Sequence, residues 1–391
     1  MSERVGGVAG EFHGYTEQVP LRLTISVIEK ATRMKLLSAI TSFVLLVFTS
    51  FAALADQRLR VGLILPLSGE ASSWGRTFQS AFEMGLEELS PAERARLQIF
   101  TEDDQLQPKN AVSAFHKLLA QHDIDVVVNL SSGTGNALAS LTEQRKIVLV
   151  AIASDAAIVR GRTHAFNFWV TPEEEARVLV DEARRQNYKR IVRVGTIHDG
   201  VSAVNKAFDQ FNAGKITIAL DEEFPSDVRD FRTTLGKIRA LKDIDGIMIV
   251  LFPGQMSAFA KQARQAGIRS TFFGWEIFED INEIKAAQGA LEGAWYVNAA
   301  DARGDFMQRF RAKHPELSLL GSANGYDLAK LLASAAGREP SVEGVRTFLA
   351  ELKDFSGVIG TYSATGDGRF SLPAAVKQVR NNDFVTIRGN S

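Results

Sequence analysis

Runs of apolar residues alternate along the chain with stretches in which apolar residues recur every three or four positions. A strand covered on both faces is apolar throughout, whereas a surface helix shows the longer period, as Phe78, Phe82 and Leu86 do. The first half of the chain therefore predicts strands that alternate with helices. The predicted strands are residues 60–66, 97–101, 125–130 and 147–153, and the predicted helices are residues 78–89, 108–121 and 136–145.

The same alternation starts again after residue 172. Strands are predicted at residues 190–196, 216–220, 246–252 and 271–274, and helices at residues 173–186, 202–212, 227–241 and 255–266. Repeated strand–helix units of this length form parallel sheets with helices on both faces. Two such series predict an α/β protein with two doubly wound parallel-sheet lobes.

The chain after residue 290 does not continue this alternation. It predicts a strand at 291–298, helices at 305–313, 323–336 and 342–352, and β-structure at 358–362 and 375–387 around a turn at Gly366–Gly368. A chain that crosses between the lobes several times explains this order. We therefore assign residues 56–172 and 299–354 to the first lobe, and residues 173–298 and 355–391 to the second.

Composition narrows the class of function. The chain has 391 residues, a formal net charge of −1 and scattered basic residues, which argues against nucleic acid as a partner because phosphate binding needs a concentrated basic surface. It has no cysteine, so disulfides and thiolate chemistry are excluded. Its six histidines form no ligand pair at helical spacing. We expect a monomer that holds neither a metal nor a cofactor.

The N-terminal region carries the parts of an export signal. Met34 and Lys35 precede an apolar run at residues 36–54. The small residues Ala53 and Ala55 form an A-x-A motif, which favours cleavage directly after Ala55. We expect residues 34–55 to be a cleaved signal peptide and the mature protein to reach the periplasm. A retained membrane anchor is the alternative, because the run is close to the shortest length that spans a bilayer. Residues 1–33 have no explanation beyond Met34 being the true start.

Six segments, in order along the mature chain, resemble the leucine/isoleucine/valine-binding protein family of type I periplasmic solute-binding proteins. They are residues 60–75 (RVGLILPLSGEASSWG), 102–111 (EDDQLQPKNA), 129–137 (NLSSGTGNA), 261–276 (containing KQARQAGI and TFFGWE), 323–332 (ANGYDLAKLL) and 360–368 (GTYSATGDG). The resemblance implies two lobes joined by a three-crossing hinge, with a small ligand held between them. It also implies delivery of that ligand to an ABC transporter permease, and no catalysis.

Ligands of open α/β sheets bind at the carboxyl ends of the strands, where four loops of this chain carry candidate residues. After the strand at 125–130, Ser132, Gly133 and Thr134 would offer N–H groups and a hydroxyl at a helix N-terminus, which suits a carboxylate. The resemblance implies that Ser132 contacts the ligand carboxylate. Ordinary helix capping is the alternative.

The resemblance also implies ligand contacts from residues in two more loops. The Ala153 carbonyl would bind the ligand amino group, while Asp155 stands where the family has threonine. Asp155 would pair with a cationic group or, alternatively, cap the turn that follows it. Glu276 matches the glutamate that binds the α-ammonium group.

Aromatic residues complete the predicted site. Trp74 stands where the family packs a ring on the ligand, and Phe252 stands where it often has tyrosine; Phe252 could also belong to the core. His198, Asp199 and Gly200 replace an aromatic–glycine pair. We expect them to form a solvated turn, and contact of the ionisable pair with a polar ligand side chain is the alternative.

The resulting hypothesis is a binding protein for an amino acid or a related amine or amide. An enzyme is disfavoured because no nucleophile elbow, metal motif or phosphate loop is present. An extracytoplasmic sensing module for a signalling partner remains the alternative function, and neighbouring genes for a permease and an ATPase would distinguish the two.

Overall fold

The structure, a computed structural model, describes residues 58–389 and, before them, Gly14 alone. Residues 58–389 lie within one compact unit. The predicted signal peptide at residues 34–55 and, apart from Gly14, the segment 1–33 lie outside the described residues. None of the described helices has the length and apolar character needed to cross a membrane.

Fourteen strands and twelve α-helices follow one another along the described chain. The strands are β1 (Leu59–Leu65), β2 (Leu97–Asp103), β3 (Val126–Leu130), β4 (Val148–Ile152), β5 (Ala165–Asn167), β6 (Arg190–Thr196), β7 (Thr217–Phe224), β8 (Gly246–Val250), β9 (Thr271–Gly274), β10 (Trp295–Ala299), β11 (Phe355–Ser356), β12 (Thr361–Tyr362), β13 (Ala374–Arg380) and β14 (Asp383–Gly389). The helices are α1 (Ser72–Glu87), α2 (Pro91–Arg94), α3 (Pro108–His122), α4 (Ser132–Arg145), α5 (Pro172–Arg185), α6 (Asp199–Asn212), α7 (Arg232–Ala240), α8 (Gln255–Gln265), α9 (Ile281–Ala286), α10 (Phe306–Lys313), α11 (Ser322–Arg338) and α12 (Val342–Ala350).

The strands form two large sheets, as the two series of strand–helix units predict. The first is entirely parallel, in the order β2-β1-β3-β4-β5. The second has the order β14-β13-β10-β9-β8-β6-β7, and its strands β6 to β10 are parallel. The strands β3, β4 and β8 are buried along their whole length, because helices cover both faces. The predicted α/β fold with two parallel-sheet lobes is confirmed.

The second sheet ends in an antiparallel hairpin. β13 pairs with β10, and β14 pairs with β13. Asn381 and Asn382 connect the two strands with φ values of 54° and 59°. Asparagine tolerates this left-handed conformation, which a two-residue hairpin turn requires. Residues 375–387, predicted as one stretch of β-structure, thus form two strands joined by this turn.

The first lobe is completed by a helix from the far end of the chain. Helices α1 and α11 approach each other closely, because glycine lies at both contact points. A Cβ atom on Gly85 would stand 2.6 Å from the carbonyl oxygen of Tyr326, and one on Gly325 would stand 2.5 Å from that of Phe78. Backbones at this separation leave no room for a side chain.

Residues 355–372 contact the first lobe, which differs from their predicted assignment to the second. Asp327 on α11 accepts hydrogen bonds from the N–H groups of Val358 (2.8 Å) and Ile359 (3.1 Å). The rings of Phe168 and Tyr362 pack with centroids 5.3 Å apart. Within this segment β12 pairs with β11, and the chain joins the second sheet at β13.

Candidate ligand-binding site

A cavity of about 90 Å³ lies between the two lobes at the carboxyl ends of their strands. Its first-lobe side follows β3, β4 and β5, and its second-lobe side follows β6, β8 and β9, as expected for an α/β ligand site. Most of the lining is apolar or aromatic. The lining residues are Trp74, Leu130, Ser131, Ser132, Ile152, Ala153, Ser154, Trp169, His198, Gly200, Val201, Val204, Val250, Phe252, Glu276, Ile277, Leu320 and Gly321.

The structure brings most of the predicted site residues together and leaves three outside. Those at the cavity are Trp74, Ser132, Ala153, Phe252 and Glu276. Gly133 and Thr134 do not line it, because α4 carries them away after Ser132. The Thr134 hydroxyl is buried and accepts a hydrogen bond from Asn129 Nδ2 at 3.0 Å.

Asp155 also lies outside the cavity lining, so its ligand role stays a prediction. Its Oδ1 accepts a hydrogen bond from the N–H group of Ala157 at 2.8 Å, capping the short 3₁₀ helix at Ala156–Ile158. Its Oδ2 accepts another from Asn136 at 2.8 Å. Both oxygens therefore serve the local structure, as the alternative capping role predicts.

The N-terminus of α4 forms the electropositive end of the cavity. The helix begins at Ser132, four residues earlier than predicted, so its first turn reaches the cavity wall. The first-turn N–H groups of any helix have no partner within the helix and favour a negative charge. Ser131, just before the helix, has φ 118° and ψ 145°, a conformation that costs a non-glycine residue energy and is concentrated at functional sites.

His198 lies at this helix terminus rather than in the solvated turn that the sequence suggested. Its Nδ1 accepts a hydrogen bond from the Gly200 N–H group at 3.0 Å, and its Nε2 lies 3.1 Å from the Ser131 hydroxyl oxygen. Burial lowers the pKa of the imidazole. The ring is therefore neutral with its proton on Nε2, which donates to Ser131 in the opposite lobe.

Glu276 forms the acidic end. The buried strand β9 delivers it to the cavity, where Ser154 Oγ of the first lobe donates a hydrogen bond to its Oε1 at 3.0 Å. Its Oε2 is buried and has no hydrogen-bond partner among residues 58–389. Burial raises the pKa of this carboxyl, and the nearby Glu279 adds to the increase. A cationic group at Oε2 would favour its ionised form.

Aromatic rings form one wall across both lobes. Trp74 meets Phe252 edge-on with centroids 5.4 Å apart, and Phe252 packs on His198 at 4.8 Å. Phe252 thus belongs to the cavity wall as well as packing on the core. The Trp74 indole Nε1 donates to Oδ2 of the buried Asp280 in the second lobe at 2.9 Å.

The two lobes are in direct contact around the cavity. Asn136 of α4 donates to Asp199 Oδ2 at 2.9 Å, and Arg229 forms an ion pair with Glu70. Gly200 approaches so closely that a Cβ atom there would lie 2.9 Å from Ser132 Oγ. This is a closed arrangement of the lobes.

Sequence reasoning missed several contributors to the site. His198 follows β6 at its carboxyl end, and a ligand contact there was predicted only as the alternative to a solvated turn. Trp169 follows β5, a strand of three residues that left no recognisable pattern. Asp280 follows the Glu276–Glu279 3₁₀ helix, and only tertiary structure brings it to Trp74.

The acidic segment Glu102–Asp104 covers the end of β2 and the residue after it. Asp103 accepts hydrogen bonds from the N–H groups of Leu67 and Gln105, both at 2.9 Å. Within residues 58–389, no group of three or more acidic or histidine side chains is placed to hold a metal ion.

Residues 58–383 match the sequence profile of a family described as periplasmic binding protein. The chain is 23% identical to the Leu/Ile/Val-binding protein BraC3 of Rhizobium johnstonii over 338 residues, covering 81% of this chain and 91% of that protein.

Solved structures show the same fold. The leucine-binding protein LivK of Thermotoga maritima superposes with a TM-score of 0.79 at 18% identity, over 85% of this chain and 98% of that one. A solute-binding protein of an ABC transporter from R. palustris, in complex with benzoate, superposes with a TM-score of 0.76 at 18% identity, over 85% of this chain and 96% of that one.

Proposed function

The chain belongs to the periplasmic binding protein family, and on that premise we propose that it captures a small amino acid, or a related amine or amide, for the permease of an ABC transporter. We further propose that residues 34–55 direct it to the periplasm and are removed there.

The observation that carries the proposal is the opposite polarity of the two lobes' contributions to one cavity. Ser132 and the N-terminus of α4 favour an anionic group, whereas the Oε2 atom of Glu276 favours a cationic one. A zwitterion matches both. Apolar side chains line the space between, so a short aliphatic side chain fits best.

The charge of the lining favours an amino compound over a simple carboxylate. The relative from R. palustris binds benzoate. Among the residues that line this cavity there is no lysine or arginine, and Glu276 would repel an anion that brought no cation with it. A cavity of about 90 Å³ also suits a small ligand.

Ligand exchange requires the lobes to separate, because the cavity lies between them. The ligand would bind one lobe first and stabilise the closed form by contacting the other. The bonds from Ser154 to Glu276 and from His198 to Ser131 already cross this boundary, so ligand contacts and lobe contacts favour the same state.

Isothermal titration calorimetry of the purified protein tests the proposal with amino acids, their amides, alkylamines and benzoate. We expect a zwitterion of the size of alanine to leucine to bind best. Ser132→Ala and Glu276→Gln should each weaken binding by roughly 10- to 100-fold, because each removes a hydrogen bond to a charged group. The outward-facing variant Asp227→Asn is the control and should bind as the wild type does.

Two results would contradict parts of this proposal. Selective binding of benzoate without any zwitterion would retain a solute-binding protein but reject the amino-acid class. Unchanged affinity in both site variants would reject the site itself.

A further inference from the structure

Trp169 carries a polar atom that the fold leaves unpaired. The residue follows β5, lines the cavity and is only 7% exposed. Its indole Nε1 is buried and has no hydrogen-bond acceptor among residues 58–389. Buried indole N–H groups normally have a partner, because leaving such a donor unpaired is unfavourable. A ligand oxygen in the cavity would pair this donor, which has no acceptor among residues 58–389.

Trp169 also borders a second, polar cavity of about 30 Å³, whose protein groups within residues 58–389 accept no hydrogen bond from its indole. The polar side chains of that cavity are bonded to one another or to the backbone. Lys377 pairs with Glu279 and Asp301, both at 3.0 Å, and Asn324 donates to the Phe168 carbonyl oxygen at 2.8 Å.

Glu276 Oε2 and Trp169 Nε1 thus form a complementary pair at one cavity. One is a buried oxygen and the other a buried donor, and both lack partners within the described chain. Both residues line the same cavity of about 90 Å³, so one ligand bound there would contact both side chains. The ligand must then carry a donor and an acceptor close together.

We propose that the Trp169 indole N–H group donates a hydrogen bond to an oxygen of the ligand, on the carbon next to the amino group that Glu276 binds. This inference rests on the proposed function and narrows its ligand class. It selects α-amino acids and α-amino amides over simple amines. A carboxylate has enough lone pairs to accept from Trp169 and from the N-terminus of α4 together.

The test compares Trp169→Phe with Trp275→Phe, using L-valine and L-alanine as probes together with isobutylamine, which is L-valine without its carboxylate. Phenylalanine keeps an aromatic ring and removes the N–H group. Trp275 is the matched control, since its Nε1 is also buried and unpaired while the residue lies outside the cavity lining.

By calorimetry, Trp169→Phe should bind the amino acid roughly 10- to 100-fold more weakly, as expected for a lost hydrogen bond to a charged group. Trp275→Phe should stay within about twofold of the wild type. The loss in Trp169→Phe should vanish for isobutylamine, because that ligand has no oxygen.

Equal affinity in Trp169→Phe and wild type would overturn the inference, as would an equal loss for valine and isobutylamine, which would indicate ring packing alone. If Glu276→Gln weakens binding in the same experiment, the proposed function survives that failure. If no amino acid or amide binds the wild type, both fall.

A second measurement on the wild-type protein avoids any folding defect of the variant. The chain has four tryptophans, so their indole N–H signals are few in a ¹⁵N NMR spectrum. The Trp169 indole proton should shift on addition of the amino acid and not on addition of isobutylamine, while that of Trp275 stays in place. A stationary Trp169 signal under saturating amino acid would also reject the inference.

Discussion

Single carboxyl groups determine how this protein should respond to pH. Glu276 must be ionised to bind an ammonium group, and burial raises its pKa. Acidification therefore removes its charge at a higher pH than for an ordinary glutamate, whose pKa is about 4.3.

We expect the affinity for an α-amino acid to fall as the pH decreases towards the raised pKa of Glu276, and to recover above it. Calorimetry across this pH range measures the effect. His198 also titrates at the cavity, so Glu276→Gln is the control and should bind weakly with the Glu276-dependent part of the profile lost. A wild-type profile parallel to that of the variant would contradict this role.

Asp104 affects the stability of the fold rather than the site. It is fully buried, its Oδ2 has no partner among residues 58–389, and burial raises its pKa to about 7. The folded protein therefore keeps a proton that the unfolded chain, with a pKa of about 3.9, releases. This group makes the folded state progressively less stable as the pH rises from about 4 to 7.

Asp104→Asn should consequently raise the melting temperature relative to wild type by more at pH 8 than at pH 4. The difference in unfolding free energy should reach a few kcal/mol, on the order of the pKa change multiplied by about 1.4 kcal/mol per unit. Thermal unfolding at both pH values measures it. The exposed Asp227→Asn provides the comparison, and an equal change at both pH values would reject the assignment.

The sequence correctly located site residues whose position follows from the order of strands and helices. It did not locate those whose environment depends on contacts between distant parts of the chain. Ser132 and Glu276 each follow shortly after a predicted strand, so both could be placed at the cavity. Asp155 does so too, but Asn136 and the Ala157 N–H group occupy its oxygens. His198 was expected in solvent because nothing in its local sequence reveals Ser131 of the other lobe.

Among the elements, the contact between α1 and α11 limits side-chain size at Gly85 and Gly325. Gly325→Ala should destabilise the protein by about 1–3 kcal/mol, because the added methyl group would meet the Phe78 carbonyl oxygen and push the helices apart. Chemical denaturation measures the change.

Gly236→Ala is the matched control, since Gly236 also lies within a helix and has no atom within 4 Å of its added Cβ. Alanine should stabilise α7 there by about 0.5–1 kcal/mol through helix propensity. Stabilisation by both substitutions would show that α1 and α11 can separate without cost.

The predicted bounds of helices and strands matched the structure where the apolar periodicity was regular. They were displaced where a helix cap or a turn sets the end of the element. The apolar spacing located α1 only from Phe78, because Ser72 and Ser73 add a polar turn that has no period. The strands β13 and β14 merged into one tail because an Asn-Asn turn was not recognised as a hairpin signal. The fold class survived these shifts because it depends on the order of elements, not on their bounds.

For the whole molecule, the contacts between the lobes should differ greatly in strength. The Trp74–Asp280 hydrogen bond is buried and ends on a carboxylate, whereas the Arg229–Glu70 ion pair is solvent-accessible. Exposed ion pairs contribute about 0–1 kcal/mol, and buried hydrogen bonds to charged groups about 1.5–3 kcal/mol.

Trp74→Phe should therefore weaken ligand binding by roughly tenfold or more, and Glu70→Gln by less than about fivefold. Small-angle X-ray scattering should show a larger radius of gyration for Trp74→Phe without ligand, because the open form gains population. The reverse ranking of the two variants would show that the rim, rather than the aromatic wall, holds the lobes together.

The close contact between α1 and α11 also has a consequence for synthesis. Helix α11 ends at residue 338, so it can pack on α1 only after most of the chain has been synthesised. Until then, the surface of α1 that α11 covers is exposed. Contacts that span so much sequence form late and slowly. The first lobe therefore cannot complete its fold until the last quarter of the polypeptide has been synthesised. Before that point, its exposed apolar surface needs protection from aggregation.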